Sequence, residues 1–220
     1  MPAARNRTIL AAALGVLALL AAAAARADDC DPMSDLNDKA KSLRADGKLD
    51  KAQRIVDKIL KARSNDFRAN YTAALLQIDA SGTDAAKHLA GIKRLEALET
   101  TLPQQDPACA KKRNLYGVYN MVGVEYYNIG DLASAERNFE RGYANRDKLG
   151  DGTNARLFDN MGLVAFKRGD YVCAHALFEK SNGTKRTPET DAHLKLVNTV
   201  LSSAKDKRTC DMSRYDNLKP

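Results

Sequence analysis

The chain has 220 residues and a formal net charge of +7 at pH 7. Its Lys and Arg residues are interspersed with Asp and Glu, with no dense basic block and no interleaved aromatics, so the composition argues against nucleic-acid binding. The three histidines, His88, His175 and His193, are scattered, and no Gly-x-Ser-x-Gly elbow, His-Glu-x-x-His pair or phosphate-cradling glycine loop occurs, so neither catalysis nor a cofactor is expected.

Arg5 and Arg7 precede an apolar run from Ile9 to Ala25, and Ala25-Arg26-Ala27 supplies the small-x-small pattern of a signal-peptidase site. Residues 1–27 are therefore predicted to be a cleaved secretory signal peptide. A retained membrane helix is the competing reading, but the run is near the lower length limit for a span, and about half of it is alanine, which inserts weakly. A lipid anchor on Cys30 is disfavoured because Asp29 stands where a small residue is needed. Cleavage removes three arginines and no acid, lowering the charge to +4. The alanine-rich leader looks bacterial, which places the mature chain in the periplasm with no integral membrane segment.

Residues 28–107 carry two weaker helix pairs. Ser34 is the candidate cap of a first helix whose face is marked by Leu36, Ala40 and Leu43; Asp46-Gly47 ends it. Ala52, Ile55, Val56, Ile59 and Leu60 then recur at helical spacing. Another helix opens at Phe67, with Ala69, Ala73, Ala74, Leu75 and Ile78, and Ser81-Gly82-Thr83 breaks it. Thr83 or Asp84 caps the next, which carries Leu89, Ile92, Leu95 and Leu98 and is expected to stop over Leu102-Pro103 to Pro107.

Residues 108–183 contain a self-similarity. Tyr119 to Asp131 and Phe158 to Asp170 align with Gly123 on Gly162, Tyr126 on Ala165, and Gly130-Asp131 on Gly169-Asp170; Ala135 then falls on Ala174 and Phe139 on Phe178. Each pair is separated by the same interval, which falls within the 20–50-residue periods of stacked helical hairpins. Helices are expected at about 110–129, 132–146, 154–168 and 171–181, with Thr153 capping the third. Glu189 to Ala204 reads as one more helix, closing the apolar end of the stack, and the tail from Lys205 to Pro220 is polar, ordered only as far as Cys210.

These residues resemble a tetratricopeptide repeat: an aromatic, an apolar-Gly pair, Gly-Asp at the turn, then Ala and an aromatic four apart. The resemblance implies an all-α, right-handed superhelix of stacked antiparallel helix pairs, a TPR-like solenoid, with a C-terminal capping helix. It also implies a non-enzymatic role, holding a protein or peptide segment on the inner surface as an interaction module or assembly scaffold of the envelope. In the repeat's register the inner positions are Asn120, Val124, Tyr127 and Asn128 in one unit, and Arg156, Asp159, Asn160, Leu163, Phe166 and Lys167 in the next. Amides, aromatics and cations in that pattern suit an extended peptide with backbone groups to satisfy. Family members that hold a peptide C-terminus use Lys and Asn in such places; the full clamp is absent here, since the earlier inner positions supply Asn37, Lys41, Asn70 and Leu75. The alternative reading is a carrier or sensor of a cell-wall fragment or other small ligand, stacked on Tyr127 and Phe166.

Four cysteines, Cys30, Cys109, Cys173 and Cys210, in an exported chain favour disulfides, and they allow three connectivities. A tail folded back on its helix would join Cys173 to Cys210, leaving Cys30 with Cys109. A zinc site on Cys173, His175 and His193 is disfavoured because residues two apart on a helix point about 200° apart.

Overall fold

The computed structural model describes residues 32–105, 116–146, 150–204 and 209–218. The predicted leader lies outside them, as do Cys30 and Cys109. Among the described residues all regular structure is helical, and none of the helices is long and apolar enough to cross a membrane. The chain divides into two compact units at Ala69.

The first unit holds a hairpin of α1 (Ser34–Ala45) and α2 (Leu49–Ala62). Gly47 turns the chain with φ 71°, a left-handed geometry that costs glycine nothing, and Lys48 N–H closes the turn on the Leu43 carbonyl at 2.8 Å. Ala52, Val56 and Ile59 form a buried stripe, and Ala40 is buried with them. Ser34 is the first helical residue, not the cap: Met33 holds that position, and no side chain bonds the free amides there. Asp66 instead serves two neighbours, accepting from Asn37 Nδ2 at 3.2 Å and from Ala69 N–H at 2.9 Å, where α3 (Phe67–Asp79) begins.

The second unit continues α3 into α4 (Ala85–Gln105), α5 (Tyr116–Asn128), α6 (Leu132–Ala144), α7 (Asp151–Lys167), α8 (Tyr171–Thr184), α9 (Pro188–Ala204) and a short α10 (Ser213–Asp216). Asp84 caps α4, its carboxylate accepting from the amides of Ala86 and Lys87, both at 3.1 Å. These bonds, that from the Lys87 backbone first, hold its pKa below the usual carboxylate value. α4 ends at Gln105, inside the stop expected from Leu102-Pro103 to Pro107. A proline in a last turn forfeits a single backbone bond there, which the remaining ladder tolerates.

The two predicted repeats become two hairpins of one design. A Cβ on Gly123 would sit 2.4 Å from Phe139 Cε1, and one on Gly162 would sit 2.5 Å from Phe178 Cε1, so in each hairpin the ring occupies the space the glycine leaves. Phe139 and Phe178 are both 1% exposed. The turns match as well. Gly130 (φ 85°) and Gly169 (φ 79°) leave the helix, and the amides of Asp131 and Asp170 close back on the carbonyls of Tyr126 and Ala165 at 2.9 and 3.0 Å. The same two aspartates start the next helices, accepting from Ser134 N–H at 3.0 Å and Cys173 N–H at 3.3 Å. Each Gly-Asp pair thus ends one helix and begins another.

Adjacent hairpins share a core of Tyr143, Leu157, Phe158, Met161, Val164 and Leu177, with Tyr143 and Phe158 at 4.5 Å between ring centroids. Burial of a side chain of this size is worth about 1.5–3 kcal/mol. Thr153 is inside α7, whose cap is Gly150 in extended conformation. Val197 of α9 is buried in the same core, as expected of a closing helix.

The tail departs from expectation. Past Cys210 it remains structured through Leu218, and Tyr215 is only 4% exposed. One aromatic and two apolar residues, Met212 and Leu218, pack on the core, and the charged residues between them find partners on the helices below.

Candidate functional site

Two pairs of the predicted inner residues meet where α5 and α7 run side by side. Asn160 Nδ2 donates to Asn120 Oδ1 at 2.8 Å, joining the two helices by their amides. Lys167 Nζ donates to the Tyr127 carbonyl at 3.3 Å and lies 4.5 Å from the centroid of the Tyr127 ring, a cation–π contact. Val124 and Leu163 are partly buried against the core and form an apolar floor. Arg156 is exposed at the start of α7.

Three of the predicted residues already have neighbours. Asp159 Oδ1 is 3.0 Å from His193 Nδ1 of α9, so its charge faces an imidazole. Asn128 Nδ2 donates to Glu125 Oε2 at 3.3 Å. Phe166 packs edge-on against Tyr171, with centroids 5.2 Å apart. Of the two rings proposed to stack a small ligand, Tyr127 is therefore covered by an ammonium and Phe166 abuts another aromatic. A shallow cleft lies elsewhere, between α8 and the tail, lined by Ala176, Glu179, Lys180, Gly183, Thr184 and Met212.

Polar groups that no sequence pattern marks join α4 to the next hairpin. His88 Nδ1 is 3.2 Å from Ser81 Oγ, and its Nε2 is 3.2 Å from Glu125 Oε2. The Ser81 hydroxyl also donates to the Ile78 carbonyl at 2.6 Å. The group ties α4 to the next hairpin. Beside it Tyr126 OH donates to Glu96 Oε1 at 3.0 Å, and burial, aided by that bond, pushes the phenol up to about 12. Arg141 meets Glu99, whose carboxyl is raised by burial and only partly offset by the guanidinium. His88 and Glu125 lie far apart in sequence, so local periodicity could not have paired them.

On the other side of the hairpins the tail forms a strap. Cys173 and Cys210 are disulfide-bonded, the predicted pairing, and the bond removes Cys173 as a metal ligand. Among the described residues no group of three or more His, Cys, Asp or Glu could hold a metal ion. Beyond the disulfide, Arg214 pairs with Glu136 and Glu140 of α6, and Arg146 donates to the Leu218 carbonyl at 3.1 Å. Burial pushes the Tyr215 phenol up to about 12. The strap thus crosses from α8 back to α6.

Antiparallel helix pairs, two of them turned by Gly-Asp and packed on each other, define a TPR-like helical-repeat fold. No family model matches the sequence, and no curated protein matches it. Among solved structures, that of PilF from Pseudomonas aeruginosa, a TPR-containing protein, is similar, with a TM-score of 0.60 at 16% sequence identity over 78% of this chain and 68% of that one. The likeness is one of fold.

Proposed function

We propose that the chain is a non-enzymatic interaction module of the bacterial periplasm, which holds a segment of a partner protein in an envelope assembly. The partner lies on the shared face of α5 and α7, made by Asn120, Val124, Tyr127 and Asn128 with Arg156, Asp159, Asn160, Leu163, Phe166 and Lys167. One observation carries this reading. The Asn160–Asn120 bond uses one donor and one acceptor, leaving Asn120 Nδ2 and Asn160 Oδ1 free to serve the N–H and C=O of an extended peptide. The TPR-like fold supports protein binding as the mode of action. The disulfide fits an oxidising compartment reached through a cleaved leader.

Capture of partners from envelope extract tests the reading. A stoichiometric protein that is retained by the native chain and lost on Asn160→Ala plus Lys167→Glu is the expected result. Retention by the double variant counts against the face. Saturable binding of a cell-wall fragment, with no protein partner, would favour the small-ligand reading instead.

A further inference from the structure

Building on that reading, we propose that this face takes an extended acidic segment with two carboxylate side chains five residues apart and an apolar residue between them. On α7, Arg156, Asn160, Leu163 and Lys167 recur at intervals of four, three and four, which places them in one stripe. At 1.5 Å per residue the two cations stand about 16 Å apart. Arg156 and Lys167 are both exposed, and Arg156 forms no ion pair among the described residues. The carboxylates that border the stripe are engaged: Asp159 faces His193, and Glu125 faces His88 and Asn128. The stripe thus carries one exposed cation at each end, and the two carboxylates beside it are turned towards histidines.

The middle of the stripe fixes the ligand's conformation. Between the cations lie the half-used amide pair and the floor of Leu163 and Val124. An extended chain advances about 3.3 Å per residue, so five residues cover the same 16 Å and present a peptide unit to the amides on the way. A helical ligand would need eleven residues for that span, and its own hydrogen bonds would occupy the groups the amides need. A single terminal carboxylate reaches one cation, not both.

The test uses the purified, oxidised chain and N-acetylated, C-amidated decamers of Gly and Ser, with Asp at the third and eighth positions and Leu at the fifth. Binding is followed by amide chemical shifts. An exposed ion pair is worth up to about five-fold in affinity, so replacing both acids by Asn should weaken binding about ten-fold. Moving the second Asp to the sixth position should lose about half of that gain on a logarithmic scale. Arg156→Glu plus Lys167→Glu should reverse the preference, towards a decamer with Lys in place of Asp. Equal binding of the Asp, Asn and Lys decamers, or no binding of the Asp decamer, overturns the proposal.

The two readings fail separately. If the Asp decamer does not bind while Asn160→Ala plus Lys167→Glu still costs the chain its envelope partner, the face stands and the acid spacing falls. If the decamer binds and that double variant leaves its affinity unchanged, the site is elsewhere and both fall.

Discussion

Two seams in the second unit solve the same packing problem with different chemistry. Where α4 meets α5 and α6, the contacts are His88 with Glu125, Tyr126 with Glu96, and Arg141 with Glu99. Where the α5–α6 hairpin meets α7 and α8, Leu157, Phe158, Tyr143 and Leu177 make the buried part, with the Asn160–Asn120 bond and the Arg168–Glu136 pair beside them and the disulfide-tied strap overlaid. An apolar seam is held by area and shape. A polar one gains little net energy from its pairs, because desolvation offsets attraction, yet it suffers when one partner is removed. The apolar seam should thus carry more of the stability, and the polar seam more of the sensitivity to charge.

The comparison is broken most forcefully at the rings. Phe178→Ala empties the space in front of Gly162 and should cost about 3–5 kcal/mol in urea unfolding. Phe139→Ala, against Gly123, should cost about the same, because the geometry is the same. A much smaller loss at either would show that the two hairpins are not equivalent. Next comes the strap. Replacing Cys173 and Cys210 by Ser opens a loop with a sequence separation of 37 residues and should lower stability by about 3–4 kcal/mol on the chain-entropy account.

The polar seam should respond less to deletion of a single group. His88→Ala leaves Glu125 with only Asn128 and should cost about 1.5–3 kcal/mol, whereas His88→Leu with Glu125→Met should recover most of that loss. A double variant as unstable as the single one would mean that the charges contribute more than packing. The smallest effect is at the turn: Asp131→Ala should cost about 1 kcal/mol through the lost cap.

Two acids of the second unit are shifted in opposite directions. Hydrogen bonds from Ser134 hold Asp131 below its usual pKa, so its contribution is present above about pH 4 and fades as pH falls through the lowered value. Burial raises Glu99, so its contribution is largest below about pH 4 and declines as pH rises through the raised value. Urea midpoints measured from pH 3 to pH 7 should therefore show Glu99→Gln steepening the gain in stability with pH and Asp131→Asn flattening it.

The hairpins were legible because local chemistry specifies them. Gly-Asp turns need a left-handed residue followed by a capping carboxylate, and a glycine two turns earlier needs a ring to fill its space; both requirements recur at a fixed interval. The N-terminal hairpin was legible for a related reason, since Gly47 takes the same turn although Lys48 brings no cap. The weaker second pair was harder, because its close contact moved to the other helix: Gly91 of α4 lies against Ile78 and the Ala74 carbonyl of α3. Partners distant in sequence left no pattern at all. His193 on Asp159, and Arg214 on Glu136 and Glu140, were invisible until the chain was folded. Tyr215 was overlooked because one aromatic in a charged tail has no periodicity to announce it.

The return of the tail to α6 also governs how the array comes apart. A stack of hairpins ordinarily loosens by shedding its outermost member, since that member has a neighbour on one side only. Here α8 cannot peel away without carrying the cross-linked segment off α6, so two hairpins must let go together. Within the second unit, transient opening and the first protease cuts should accordingly fall around α3 and α4, leaving the faces of α5 and α7 aligned.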